Sequence, residues 1–206
     1  MKILLTGATG FIGGHVVPRL LRDGHELRCL VRSPDKARHL EARGVTVVAG
    51  DVTDRDSVGR ALPGSEGLVH LANVYSFWER DRGVYARVNV EGTRHVMEAA
   101  LAAGVRRVVH VSSCVVFGHP PVEPFTEASA PGPERFSEYA RTKHAGDLVA
   151  RELHGQRGLP LVTVMPGAVV GPGDTKATGD YVRALVERRM PARVMEGRTL
   201  TFVHVR

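Results

Sequence analysis

Ser113, Tyr139 and Lys143 are the residues whose types and spacing could do chemistry. Tyr139 and Lys143 stand four residues apart in "YARTK" (139–143), inside a segment of helical period, so they share one helical face. An ammonium beside a phenol stabilises the phenolate and lowers the tyrosine pKa from its reference of about 10. Such a tyrosine can serve as general acid–base near neutral pH. Ser113 closes the apolar run "VVHVSS" (108–113), and a serine at the carboxyl end of a strand can hold a carbonyl or alkoxide oxygen beside that tyrosine. Tyr-x-x-x-Lys recurs by chance, so its weight depends on what the rest of the chain places around it.

The first such feature is "LLTGATGFIGGHV" (4–16). Gly7, Gly10 and Gly13 follow a short apolar run at a spacing one residue longer than the usual G-x-G-x-x-G. The physical logic is the same: one glycine permits a tight turn, one lets a pyrophosphate approach the backbone, and one lets helix and strand pack closely. A helix beginning near Phe11 then offers free N–H groups and its positive dipole end to phosphates. Gly7, Thr9, Gly10, Phe11, Ile12 and Gly13 are therefore the candidate dinucleotide cradle. The second strand runs into "VRSPDKAR" (31–38), where Arg32 stands in place of an acidic residue and Lys36 follows one turn later. That pattern suits a ribose 2′-phosphate, so NADP(H) is favoured and NAD(H) is the alternative. In "GDVTD" (50–54), Asp51 can accept from an adenine amino group while Val52 packs on the ring.

These residues need a scaffold, and strand-like runs alternate with helical ones. Strands are expected at 2–6, 26–31, 45–49, 67–71, 107–112 and 161–165. Ile12, Val16 and Leu20 mark a first helix; longer helices are expected over roughly 82–103 and 134–154. "KILLT" and "VVHVSS" are apolar on both faces, as a parallel sheet covered by helices requires. The fold expected is α/β, a doubly wound parallel sheet with helices on both faces. The Pro- and Gly-rich stretch 118–136 falls between a strand and a helix, at the carboxyl edge where ligands bind in this architecture.

Composition narrows the classes. The 206 residues are enough for one domain, or one and part of a second. No run of about 18 apolar residues suggests a membrane span, and the amino terminus lacks a signal-peptide layout. Cys29 and Cys114 read as buried thiols in a reducing, cytoplasmic compartment. The net charge of +6 is carried mostly by arginines scattered along the chain, Lys2, Lys36, Lys143 and Lys176 being the only lysines. Without a clustered basic face, a nucleic-acid partner is not expected and an anionic small ligand is. No metal site is expected.

Taken together, the chain resembles an extended short-chain dehydrogenase/reductase of the broad NAD(P)-dependent epimerase/dehydratase family. The matching pieces, in the family's order, are "TGATGFIG" (6–13), "GDVTD", "HLAN" (70–73), "VNVEGT" (88–93), "VSSCVVFG" (111–118), "YARTK" and "PGAVVGPGD" (166–174). "NVYSFWERD" (73–81) and "GPGDTKAT…MPARV" (171–194) are most similar to the dihydroflavonol-reductase-like branch, which includes the hopanoid-associated sugar epimerases. The resemblance implies a Rossmann fold and a set of roles. Tyr139 donates or accepts the proton, Lys143 lowers its pKa and bonds the nicotinamide ribose, and Ser113 rather than Ser112 orients the substrate oxygen. Leu71, Ala72, Asn73 and Ser112 line the cofactor, Asn89 supports the site, and Pro166 to Val169 close over the nicotinamide. It also implies a small-molecule substrate and pairing of family members through their long helices into a homodimer; Leu148, Val149 and Leu153 in one helix and Val88, Val96, Met97 and Leu101 in the other are candidates for such a face.

Several departures qualify it. Cys114-Val115 follow Ser113 where the family's dehydratases carry Asp-Glu, so sugar dehydration is not expected. Met165 stands where many members have arginine. "LTFVHVR" (200–206) matches a family strand that normally leads into the rest of a substrate domain, so the chain is expected to be C-terminally truncated. The division expected is 1–171 for the nucleotide-binding domain and 172–206 for the start of a substrate domain. The leading function is a carbonyl reductase or alcohol dehydrogenase; a sugar-nucleotide epimerase and a catalytically silent cofactor-binding module are the alternatives.

Overall fold

The computed structural model describes residues 1–122, 124–190 and 201–206. They form two compact units, Met1–Met165 and Pro166–Arg206. The expected boundary at residue 171 falls inside the second.

In the first unit, β1 (Lys2–Thr6), β2 (Glu26–Val31), β3 (Thr46–Ala49), β4 (Gly67–His70), β5 (Arg107–Val111) and β6 (Leu161–Val164) form one sheet in the order β3-β2-β1-β4-β5-β6. Every pairing is parallel. The strand order reverses between β1 and β4, and a doubly wound sheet opens its ligand crevice at that point. All six strands stand where the apolar runs predict them, within a residue at each end.

The alternation of β1 shows how the layers are built. Leu4 faces one core with Leu68, Val96, Met97, Val108, Val149 and Leu153. Ile3 and Leu5 face a second core with Val17, Leu27, Cys29 and Val31. Helix α1 (Phe11–Arg22) covers the second face. Helices α2 (Arg55–Ala61), α3 (Gly92–Ala102) and α4 (Glu138–Arg157) cover the first.

The segment expected as one helix over 82–103 is helical from Gly83 to Ala102, with a π-helical stretch at Ala86–Glu91 between the α-helical Gly83–Tyr85 and α3. Helix α4 begins at Glu138 rather than near 134, because the Ser137 hydroxyl accepts from the Ala140 N–H at 3.0 Å and caps it. Gly158, left-handed at φ 72°, ends it.

The second unit has two parallel strands, β7 (Ala168–Val170) and β8 (Phe202–His204), and helix α5 (Ala177–Val186). Asp174 is buried there and accepts from the Lys176 N–H at 3.0 Å. The motif residues Pro191, Ala192, Arg193 and Val194 lie outside the described residues.

Candidate active site

The glycine turn sits between β1 and α1, at the switch point of the sheet. Gly7 has φ +78°, and a Cβ there would lie 2.8 Å from the Ala72 nitrogen and the Leu71 carbonyl carbon. A Cβ on Gly13 would lie 2.3 Å from the Gly7 oxygen. Both positions admit only glycine, one for the turn and one for the helix resting on it. Gly10 is the N-cap of α1 and offers no side-chain cap, and the first turn carries no acidic residue. The helix therefore presents uncapped N–H groups beside exposed Thr9 and Gly10. Phe11 and Ile12 are half-buried; Phe11 meets the His15 ring edge-on at 5.6 Å, and Ile12 packs against the second core.

Arg32 and Lys36 are exposed beyond the end of β2, and Arg32 has no ion-pair partner among the described residues. Asp51 is half-buried, and its Oδ1 accepts from both the backbone N–H and the hydroxyl of Thr53, at 2.9 and 3.0 Å. Val52 is buried and packs in the first core, where a Cβ on Gly92 would meet it at 2.8 Å.

Past β4, the Ala72 N–H donates to the Thr6 hydroxyl at 3.2 Å and Asn73 Nδ2 donates to the Leu71 oxygen at 3.1 Å. Asn73 Oδ1 and the Ser112 hydroxyl are buried without a hydrogen-bond partner among the described residues. A rigid glycine cradle and two orphaned polar atoms on the same sheet edge suit a dinucleotide with many acceptors and hydroxyls.

Tyr139 and Lys143 are both buried on α4. Ser113 neighbours the Tyr139 hydroxyl and favours its ionised form, and Ser113 Oγ accepts from the Val115 N–H at 3.4 Å. Burial pushes the Tyr139 hydroxyl up to about 12, with the neighbouring Ser113 working the other way. The expected depression by Lys143 is not realised in this structure. The Lys143 ammonium instead donates to the Val111 carbonyl at 2.9 Å, and burial lowers it to about 8 against the opposing charge of Asp147.

The support beneath these groups was largely missed in the sequence. Thr93 donates its hydroxyl proton to the Asn89 carbonyl at 2.8 Å, so it must accept from His70 Nε2–H at 3.2 Å. His70 Nδ1 then accepts from the Thr6 hydroxyl at 2.7 Å. Closure of the chain fixes the neutral tautomer, and burial, then the Lys143 charge, lower this imidazole to about 3. Asn89 accepts from the Val74 N–H at 2.7 Å and donates to the Thr142 hydroxyl at 3.1 Å, beside Lys143 in sequence. Asn89 thus ties the loop after β4 to α4, and its π-helical backbone accommodates Gly146, where a Cβ would lie 2.2 Å from the Asn89 oxygen.

His110 stacks on His70 at 5.6 Å, its partner in strand register, and lies 3.6 Å from buried Asp147, which pairs with Arg151 at 3.0 Å. Asp147 follows Lys143 by four residues, the one sequence signal that could have found it. Cys114 departs from expectation: it opens a 3-10 turn at Cys114–Phe117 rather than ending a strand, and it is half-buried. Burial raises its pKa, which disfavours a thiolate base. Cys29 is buried, and burial pushes its thiol up to about 12. Pro166 and Val169 belong to the second unit, where Val169 pairs with Val203. Among the described residues no helix is long and apolar enough to cross a membrane.

A glycine turn after β1, Ser113 after β5, and Tyr139 and Lys143 on α4 are the arrangement of an extended short-chain dehydrogenase/reductase. The chain belongs to the NAD dependent epimerase/dehydratase family, whose model matches residues 3–206. It is 34% identical over 200 residues to a putative dihydroflavonol 4-reductase of Synechocystis sp., covering 95% of this chain and 58% of that protein. It is 40% identical over 177 residues to sterol demethylase protein B of Methylococcus capsulatus, covering 84% of this chain and 53% of that one. The UDP-glucose 4-epimerase of Thermus thermophilus in complex with NAD superposes with a TM-score of 0.82 at 28% identity, covering all of this chain and 71% of that one. The chain spans about half the length of these two curated relatives.

Proposed function

We propose that this chain carries the nucleotide-binding and catalytic half of an NADP(H)-dependent oxidoreductase that interconverts a carbonyl and a secondary alcohol. The observation that carries the reading is the Tyr139 phenol, buried with Lys143 on α4 and neighboured by Ser113 at the end of β5, on the sheet edge that also holds the glycine turn. Gly7, Gly10 and Gly13 take the pyrophosphate, Leu71, Ala72, Asn73 and Ser112 line the cofactor, and Asp51 and Val52 take the adenine end. Lys143 takes the nicotinamide ribose. When bound, the nicotinamide supplies or takes up the hydride. Tyr139 and Ser113 hold the substrate oxygen; in reduction Tyr139 gives its proton to that oxygen as charge develops on it.

Arg32 and Lys36 support NADP(H), since an unpaired guanidinium at the end of β2 is free to meet a 2′-phosphate. NADPH is expected to bind at least about tenfold tighter than NADH, roughly 1.4 kcal/mol. Titration of both, repeated on Arg32→Ala, checks this. Equal affinities, or an Arg32→Ala protein that keeps the preference, would remove NADP(H) from the reading.

Likeness to an epimerase with bound NAD favours a second reading, in which one carbon is oxidised and re-reduced without net cofactor turnover. Steady consumption of free NADPH with a ketone separates the two. Binding of NADPH without turnover of any substrate would favour a silent module.

A homodimer is part of the proposal. Val96, Met97, Val149 and Leu153 are buried within one chain, whereas Leu148 on α4 and Val162 and Val164 on the edge strand β6 remain exposed. In the second unit Leu185 and Val186 are exposed as well. Exposed apolar area of this kind favours a partner. Light scattering across dilution is expected to show dimers at tens of micromolar; a clean monomer at every concentration would end this part of the reading. A cytoplasmic site is retained, supported by the two free cysteines.

A further inference from the structure

Three aromatic residues follow β4 within four positions: Tyr75, Phe77 and Trp78. They are 38%, 60% and 77% exposed, a large apolar area left in water. Tyr75 and Phe77 stand against the reacting end of the site, and Trp78 follows Phe77 directly in the chain. The Tyr75 ring meets the Tyr139 ring edge-on at 5.3 Å, and Phe77 meets it edge-on at 6.5 Å. Tyr75 and Phe77 also meet each other edge-on at 6.1 Å. The turn that presents them is pinned. Ser76 Oγ accepts from the Trp78 N–H at 3.2 Å and donates to the Trp78 oxygen at 2.7 Å. The Tyr85 hydroxyl donates to the Ser76 oxygen at 3.1 Å, and the Val74 N–H is held by Asn89.

We propose that Tyr75, Phe77 and Trp78 form a substrate wall that selects an apolar ketone or secondary alcohol, of bicyclic size or larger, over a polyhydroxylated one. The inference rests on the reading of Tyr139 as the group at the reacting oxygen. A substrate whose oxygen reaches Tyr139 and Ser113 has the Phe77 ring, with Trp78 next to it in the chain, beside the rest of its body. Aromatic ring faces offer dispersion and no hydrogen bonds, and the Ser76 hydroxyl beside them is already spent on the backbone of Trp78. Sugar hydroxyls laid there would lose water without gaining a partner, a cost that recurs for each hydroxyl. An apolar skeleton loses nothing polar and removes the aromatic faces from water.

Trp78 is the only tryptophan in the sequence, so its emission reports this wall directly. The probes are 2-decalone, a saturated bicyclic ketone transparent at the excitation wavelength, and dihydroxyacetone and UDP-glucose as polar comparisons. 2-Decalone should shift or quench the emission saturably, and the polar compounds should not. Phe77→Ala should raise the apparent Kd for 2-decalone at least about fivefold, and Phe77→Leu should restore most of the affinity. Phe77 is well exposed, so both variants should melt as the parent does. No saturable response to 2-decalone, an equal response to either polar probe, or Phe77→Ala binding like the parent would overturn the wall. NADPH consumption measured in parallel separates the two proposals. A Trp78 response to 2-decalone without hydride transfer would sink the oxidoreductase reading and leave the wall standing. Turnover of dihydroxyacetone with Trp78 silent towards 2-decalone would do the reverse.

Discussion

A Tyr139→Phe protein should bind the dinucleotide as the parent does and lose about 10²–10⁴ of its turnover, the usual worth of a positioned general acid–base. The substitution removes one oxygen from a side chain that is 6% exposed. Its ring remains edge-on to Tyr75 and Phe77, so packing at the site survives. Ser113 keeps its bond from the Val115 N–H. What disappears is the proton and one of two groups holding the substrate oxygen. Cofactor titration and single-turnover reduction on the same preparation test this. Near-parental turnover would move the proton chemistry to another residue, whereas loss of cofactor affinity would mean that the phenol acts on the binding geometry.

The direction of the tyrosine shift adds a pH dependence to that experiment. Burial holds the phenol protonated up to about 12, so at pH 7 it stands ready as a donor. Carbonyl reduction draws on the protonated form and should not be limited by Tyr139 between about pH 6 and 9. Alcohol oxidation needs the phenolate, whose fraction rises about tenfold per pH unit in that range, so oxidation should climb with pH.

The sheet was legible from the sequence because its strands are short, mostly apolar runs, and in "KILLT" successive residues pack into opposite cores. The glycine turn was legible because Gly7 and Gly13 meet backbone atoms that no side chain could tolerate. The helix across 82–103 was legible in extent, but periodicity cannot register the π-helical stretch inside it. The close approach of Gly146 to Asn89 belongs to two elements far apart in the chain. The same reason hid the polar support. His70 and His110 look like ordinary strand residues until parallel register stacks their rings. Lys143 was read against its helical neighbour Tyr139 and the nicotinamide ribose. Its bond to the Val111 carbonyl comes from β5 and has no trace in local spacing.

Gly13 and Gly14 are adjacent glycines with opposite requirements, and alanine at each should change stability in opposite directions. At Gly13 the added Cβ would stand 2.3 Å from the Gly7 oxygen and 2.7 Å from the Ala8 oxygen. Both are backbone atoms of the turn itself and cannot rotate aside. The turn must open, at a cost of about 1–3 kcal/mol or more, as for other overpacked sites. For a chain of this length that lowers Tm by roughly 2–4 °C per kcal/mol. Opening the turn also moves the N–H groups of the cradle, so dinucleotide affinity should fall by about tenfold or more. At Gly14 a Cβ would meet nothing within 4 Å, and the residue lies inside α1. Alanine there removes chain entropy from the unfolded state and should raise stability by about 0.5–1 kcal/mol. Thermal melts and cofactor titrations of the two variants side by side decide it. If Gly13→Ala melts and binds like the parent, the close approach is not what fixes glycine there. If Gly14→Ala is as damaging as Gly13→Ala, the open face of α1 must be occupied in solution by a ligand or another surface.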